Sequence, residues 1–220
     1  MPKPAWLRKR IGVDTINALK VEHILKEGAL HTVCESAMCP NISECFNQGT
    51  ATFLILGDVC TRNCRFCAIK KGKPESTDPE EPKKIARAVE SLGLKYVVIT
   101  SVTRDDLPRG GAEEFRDTVI EIKRLNRNVN VEVLTPDFRG DKEALFEALS
   151  AGPDVLNHNI ETVPSLYPTV RPMADFERSL NILYWAKEYN NDIITKSGIM
   201  VGLGETDEEL YNTFKMLADV

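Results

Sequence analysis

Cys60, Cys64 and Cys67 form a C-x3-C-x2-C run, Cys60-Thr-Arg-Asn-Cys64-Arg-Phe-Cys67, directly after a short apolar stretch. Three thiolates at this spacing can each take one iron of a cubane [4Fe–4S] cluster, which leaves the fourth iron without a protein ligand. A small molecule with an amino and a carboxylate group, S-adenosylmethionine (SAM), can chelate that iron, receive an electron and break homolytically. The chemistry asks for a loop, because a rigid helix could not wrap three thiolates around one corner of a cube. Zinc is the competing reading, although it prefers paired C-x2-C knuckles and four protein ligands. The spacing, the aromatic Phe66 before the last cysteine and the position after the first strand favour the cluster.

A second group, Cys34-x4-Cys39-x5-Cys45, precedes the first. It suits another [4Fe–4S] cluster short of one ligand, a structural zinc site completed by His31, or a redox dithiol. Pro40 and Asn41 fit the tight turn such a loop needs, as they fit any turn. All six cysteines fall between Cys34 and Cys67. Ordinary buried cysteines would be scattered, so the clustering itself points to metal or catalysis in a reducing compartment.

The elements that must position these groups follow from the rest of the chain. At 220 residues, the protein is expected to bury roughly 70% of its unfolded surface without needing a staple. Hydrophobic content is 42% and charged content 28%, ordinary for a globular protein. The net charge of −5 argues against a general nucleic-acid binder. The basic run Arg8–Arg10 reads as a solvated segment. No stretch approaches the ~20 apolar residues of a membrane span, and Met1–Lys20 lacks the apolar region of a secretory signal. A cytoplasmic protein is expected.

Residues 1–50 show no sustained period apart from a short helix around Thr15–Glu27, and are expected to form an N-terminal extension carrying the first cysteines. From residue 51 onward, apolar runs at Thr52–Leu56, Tyr96–Thr100, Val131–Leu134, Val155–Leu156 and Ile193–Val201 alternate with helical patterns. Those patterns cover Pro82–Leu92, Ala112–Leu125, Lys142–Leu149, Phe176–Tyr189 and Asp207–Leu217. Such alternation predicts βαβ units and a parallel sheet, five β–α units in residues 51–220. Thr77 with Glu80 and Thr206 with Glu209 fit capping boxes, Gly93 fits a helix C-cap, and Lys70–Pro82 reads as an exposed connection. An α/β partial barrel and an open doubly wound sheet both fit, and in either the ligands gather at the C-terminal strand ends. Polar residues stand there: Thr100-Ser101, Glu132, Thr135, Asn157-His158-Asn159 and Gly202–Glu205.

The segment Thr52-Phe-Leu-Ile-Leu-Gly-Asp-Val-Cys60-Thr-Arg-Asn-Cys64-Arg-Phe-Cys67 resembles the radical SAM segment of the lipoyl synthase family, and Cys34–Cys45 resembles that family's auxiliary-cluster motif. The likeness continues through Thr103–Ala112, Val131–Phe138, Asn157–Thr162 and Lys196–Glu205, nearly the whole chain. The resemblance implies a partial (β/α) TIM-like barrel of the radical SAM type. It implies an enzyme inserting two sulfur atoms at carbons 6 and 8 of an octanoyl chain on a lysine of a lipoyl carrier domain or H protein. The cluster on Cys60, Cys64 and Cys67 would cleave SAM to a 5′-deoxyadenosyl radical. A second [4Fe–4S] cluster on Cys34, Cys39 and Cys45 would donate the sulfur. An electron donor such as ferredoxin or flavodoxin and an Fe–S cluster carrier protein are implied as partners.

By the same resemblance, Gly110 and Gly111 correspond to a Gly-Gly segment near the methionine amino group of SAM, where bare backbone permits close approach. Phe66, Glu132, Asn157 and Arg171 are candidate contacts to its adenine, ribose or carboxylate. His158 reads as a satisfied structural histidine, His23 and His31 as surface residues or local packing. The family's Arg-Ser-Ser-Tyr motif, whose serine is the fourth auxiliary ligand, has no match here. Arg178-Ser179-Leu180 lies in a predicted helix and does not replace it, so either a fragment or a shortened form of the family is expected. The rival readings are a biotin synthase-like sulfur inserter, a methylthiotransferase, and a non-catalytic Fe–S or zinc binding module.

Overall fold

The computed structural model describes residues 15–36, 39, 41–47 and 52–220, excepting the side chains of 15–18, 43, 46 and 47. The basic run Arg8–Arg10 and the turn residue Pro40 lie outside the described residues. In chain order the elements are α1 (Thr15–Gly28), β1 (His31–Thr32), α2 (Val33–Ser36), α3 (Ile42–Asn47), β2 (Thr52–Ile55), β3 (Val59–Cys60) and β4 (Lys70–Lys71). There follow α4 (Glu81–Leu92), β5 (Tyr96–Ser101), α5 (Ala112–Leu125), β6 (Asn130–Leu134), α6 (Lys142–Leu149) and β7 (Val155–Asn157). The remaining elements are α7 (Tyr167–Val170), α8 (Phe176–Tyr189), β8 (Ile194–Lys196) and α9 (Asp207–Ala218).

Six strands make one sheet in the order β1-β2-β5-β6-β7-β8. Every neighbouring pair is parallel except β1 with β2. The five expected β–α units are therefore present as a partial barrel. Parallel strands with helices against them read as near-continuous apolar runs, and the pleat divides their residues between two faces. Phe53 and Ile55, Ile99, Val131 and Val133, and Leu156 are wholly buried. They share one core with Ile85 and Val89 of α4, Phe115, Val119 and Ile122 of α5, and Leu145 of α6. Burying each of these large side chains is worth ~1.5–3 kcal/mol, so the helix-covered face holds the sheet together. The opposite face, through Leu54, Thr100 and Leu134, fronts a cleft.

The N-terminal extension joins the same core through Val21, Leu25, Leu30 and Cys34. Two residues of β1 add an antiparallel edge, His31 opposite Leu54 and Thr32 opposite Phe53. That strand and the short α2 and α3 show no period in the sequence, since each is too brief to display one.

Helix starts divide the expectations. The Thr206–Glu209 capping box is complete, each side chain bonding the other's backbone, and Gly93 is a left-handed C-cap. The box expected at Thr77 and Glu80 does not form. Glu80 is the N-cap of α4 without a side-chain cap bond, and its N–H is taken by Asp78 Oδ1 at 2.9 Å. Pro82 sets the first turn instead. The last predicted strand is also shorter than the apolar run Ile193–Val201. After Lys196 the chain keeps only an isolated bridge, Ile199 with Glu161. A Cβ on Gly198 would lie 2.9 Å from Asn159 Oδ1, so glycine is what lets this segment press against the loop leaving β7.

Candidate functional site

The loop carrying Cys60, Cys64 and Cys67 leaves the C-terminal end of the first barrel strand. Its base is closed by β3 and β4, which pair in parallel with Val59 opposite Lys70 and Cys60 opposite Lys71. Thr61 ties it to the loop after β5: its N–H and hydroxyl both donate to Thr103 O, at 3.0 and 2.9 Å. The Asp105 N–H donates back to Thr61 Oγ1 at 3.1 Å. Arg65 N donates to Val170 O at 3.0 Å, which fastens the loop to α7.

Arg62 is the main brace. It is 5% exposed, with Nε and Nη2 gripping both oxygens of Asp105 at 2.7 and 2.8 Å and Nη2 also reaching Asp137 Oδ1 at 2.7 Å. Arg178 at the start of α8 approaches Asp137 Oδ2 at 3.3 Å. Burial alone would raise the Asp137 pKa, but the hydrogen bond and charge of Arg62 overcome it and hold the carboxyl at about 2. One guanidinium thus joins the loops after β2, β5 and β6.

All three cysteines open onto one cleft of about 380 Å³. Its wall combines apolar Val33, Leu54, Ile69 and Leu134 with Ser101, Thr135, His158, Asn159, Glu161 and Arg171. Burial pushes the Cys64 thiol up, and the Arg171 guanidinium opposes that shift by charge and hydrogen bond. Arg171 Nη1 donates to Asn159 O at 3.0 Å, Ile160 O at 3.2 Å and Tyr167 Oη at 3.1 Å, while its Nε is buried without a partner. Ser101 Oγ, Thr135 Oγ1 and His158 Nε2 are buried and unpartnered in the same way. Such orphaned atoms are rare in native interiors, and four on one cleft mark the wall of a polar ligand.

His158 shows what that ligand must offer. Nδ1 lies 2.8 Å from Thr135 O, and a carbonyl only accepts, so Nδ1 carries the proton. Burial, helped by the charge of Arg171, lowers the His158 pKa to about 4. The ring is neutral at pH 7, and Nε2 presents a lone pair that calls for an N–H or O–H donor. Glu161 adds a second acceptor; burial raises its pKa against the pull of Arg171. Its backbone is left-handed at φ 70°, a strained conformation for a non-glycine residue.

Of the residues expected to touch SAM, Phe66 and Arg171 line the cleft. Glu132 and Asn157 sit deeper in the barrel. Glu132 is 1% exposed; its Oε1 accepts from Asn157 Nδ2 at 2.9 Å and from Lys196 Nζ at 3.0 Å, and its Oε2 accepts from Tyr96 Oη. Burial works against the charge of Glu132, but these three donors together lower its pKa. Gly110 and Gly111 stand away from the cleft wall, in the turn Pro108–Gly111 with φ of 61° and 82°. A Cβ on Gly111 would fall 2.5 Å from Leu56 Cδ1, so packing against Leu56 already demands glycine there. Arg62 and Glu161 escaped the sequence reading: the first is one of several basic residues in its run, and the second follows a turn whose strain no residue type announces.

The second group is built differently. Cys34 lies in α2, Cys45 in α3, and Cys39 between them. The segment is held by local backbone bonds, Cys39 N to Cys34 O at 3.0 Å and Cys45 N to Asn41 O at 3.0 Å. Burial raises the Cys34 pKa; the backbone of Thr52 opposes this, and the nearby thiols of Cys39 and Cys45 push it further up. Val33, its chain neighbour, lines the cleft, so the segment borders the same space. All six cysteines are free thiols. Among the described residues no three His, Cys, Asp or Glu side chains converge closely enough to grip a single metal ion.

Barrel and cysteine loop together define a protein of the radical SAM class, and residues 54–217 match the family model described as the Radical SAM superfamily. The crystal structure of methylornithine synthase shares the fold, with a TM-score of 0.59 and 17% identity over 95% of this chain and 63% of that one. Sequence relatives are narrower in kind. The chain is 60% identical to lipoyl synthase of Caldicellulosiruptor saccharolyticus over 99% of its own length and 76% of the relative's. It is 56% identical to lipoyl synthase of Caldanaerobacter subterraneus subsp. tengcongensis, with the same coverage. The chain belongs to the lipoyl synthase family. Membership brings SAM and a [4Fe–4S] cluster, and the cleft fits both: three free thiols on one loop for the cluster, four orphaned polar atoms for the polar molecule beside it. No helix among the described residues is long and apolar enough to cross a membrane.

Proposed function

We propose that this chain inserts two sulfur atoms at carbons 6 and 8 of an octanoyl chain held on a lysine of a lipoyl carrier domain or H protein, as a radical SAM sulfurtransferase. The observation that carries the reading is the single cleft that collects Cys60, Cys64 and Cys67 with the unpartnered Ser101, Thr135, His158 and Arg171 atoms, in a chain 60% identical to a lipoyl synthase. Cys60, Cys64 and Cys67 hold one [4Fe–4S] cluster, and Cys34, Cys39 and Cys45 hold a second that serves as the sulfur source. With SAM bound, the first cluster supplies a 5′-deoxyadenosyl radical able to take hydrogen from unactivated carbon, which no acid–base group can do.

The chain's own residues bind, orient and exclude. Arg171, beside Cys64, supplies a fixed positive charge for the SAM carboxylate, and Phe66 at the cleft rim offers a face for its adenine. His158 Nε2 and Glu161 accept from its hydroxyl or ammonium donors. Glu132 and Asn157 support the cleft floor from within the barrel, and Gly110 and Gly111 keep the turn close against Phe138 and Leu56. The apolar wall of Val33, Leu54, Ile69 and Leu134 takes the alkyl chain and keeps water away from the reacting carbons. A reducing, cytoplasmic setting suits six free thiols, and an Fe–S cluster carrier protein would load them.

The test is anaerobic reconstitution with iron and sulfide, then incubation with SAM, dithionite and an octanoyl-lysine peptide. The expected result is about eight irons per chain, 5′-deoxyadenosine and a thiolated peptide. Bound zinc without iron, or iron-loaded protein that yields no deoxyadenosine, would overturn the reading.

A further inference from the structure

We propose that the exposed basic ribbon formed by Lys71 and Lys73 beside Cys60 is the docking surface for an acidic one-electron donor protein. The proposal rests on the reading of Cys60, Cys64 and Cys67 as cluster ligands, because the group they hold must receive its electron from outside the chain. From Cys60 to Pro74 the sequence has five basic residues, Arg62, Arg65, Lys70, Lys71 and Lys73, and no acidic one, within a chain of net charge −5. Arg62 is committed to Asp105 and Asp137, and Lys70 to Asp58 at 2.7 Å. Arg65, Lys71 and Lys73 are exposed, and no ion pair found among the described residues takes up their charge.

The ladder fixes where that charge stands. Lys71 is the register partner of Cys60, so their backbones are about 5 Å apart, and Gly72 N donates to Cys60 O at 3.0 Å. Lys71 and Lys73 are not part of the cleft wall. A substrate must reach into the cleft, whereas an electron needs only a close approach to the cysteines, and this ribbon offers that approach from outside. Complexes between redox partners bury little surface and are steered by opposite charge, which is what a cationic strip on an otherwise anionic protein provides. In the docked pair the donor loses one electron and the group on the cysteines gains it, with no bond made or broken and no proton moved.

The experiment compares reconstituted wild type with the double variant Lys71→Glu, Lys73→Glu, using reduced flavodoxin in one arm and dithionite in the other. Flavodoxin binding by fluorescence anisotropy is expected to weaken by about 10-fold or more at low salt and to lose its salt dependence. Flavodoxin-driven deoxyadenosine formation falls in parallel while the dithionite rate is kept. The neutral pair Lys71→Gln, Lys73→Gln should fall between. Unchanged flavodoxin binding, an equal loss in both arms, or weakened binding of an octanoylated carrier domain with flavodoxin binding intact would each overturn the assignment. Wild type that cleaves no SAM with dithionite would instead sink the underlying function, and the binding arm would still be readable.

Discussion

The two cysteine groups are held by different means. The loop of Cys60, Cys64 and Cys67 is part of the barrel: a ladder closes its base, and Arg62 binds it to two neighbouring strand-end loops through Asp105 and Asp137. Among the described residues, the segment of Cys34, Cys39 and Cys45 is held by local backbone bonds, a two-residue edge strand and the burial of Cys34 in the shared core. A site that must keep one geometry through turnover belongs on rigid elements. A site whose metal group is consumed and rebuilt gains from a support that opens locally without disturbing the barrel. The contrast supports the proposed division between one group that cleaves SAM and another that gives up sulfur.

The sharpest way to break that division is to remove each group in turn. Replacing Cys60, Cys64 and Cys67 with alanine should reduce deoxyadenosine formation to background and abolish thiolation with it. Replacing Cys34, Cys39 and Cys45 should abolish thiolation while deoxyadenosine formation survives, both read by chromatography of the same reaction. Loss of both products in the second variant would end the claim that the groups act separately.

Next in size is the brace. In Arg62→Ala, Asp137 loses its principal partner while its side chain stays fully buried, and breaking a buried pair of this kind costs about 3–5 kcal/mol. Urea unfolding should show the loss, and iron after reconstitution should fall by about half, from the barrel group alone. Iron lost equally from both groups would mean that the N-terminal segment leans on the same brace.

The sequence displayed the barrel better than it displayed the braces. Alternating apolar runs marked β2, β5, β6 and β7 to within about two residues, because strands covered by helices must be apolar throughout. The end of β8 was hidden, since the apolar run continues to Val201 while the ladder with β7 ends at Lys196 and only an isolated bridge at Ile199 follows. The cysteine spacing named its own chemistry. Arg62 did not: its neighbours Arg65 and Lys70 are of the same charge type, and only Asp105 and Asp137, 43 and 75 residues away in sequence, reveal which of them is buried. Resemblance singled out Arg171 and Phe66 as candidate SAM contacts and the fold brings both to the cleft wall, but the free nitrogen of His158 shows only in the fold, because one ring atom satisfied and one not is invisible in a residue type.

The smallest expected effect tests whether the barrel side alone is sensitive to pH. Glu81 Oε2 accepts from Leu56 N at 2.9 Å, clasping the turn that leads from β2 into the cysteine loop, and Arg104 Nη1 holds Leu56 O at 3.0 Å. Glu114 on α5 has one buried, unpartnered oxygen, and burial with the charge of Glu81 raises its pKa from 4.5 to about 7. The raised value fixes the sign. Below about pH 4.5 the carboxyl is neutral folded and unfolded and costs nothing; between 4.5 and 7 the unfolded chain ionises while the native one keeps its proton, so stability falls as pH rises. Glu114→Gln should therefore match wild type near pH 4 and exceed it by about 1–3 kcal/mol at pH 8, measured by urea unfolding. The gain should appear with the barrel loop's iron retention and leave that of the N-terminal group unmoved. A gain of equal size at both pH values would show that Glu114 acts through packing, and that no titrating pair lies behind the turn into the loop.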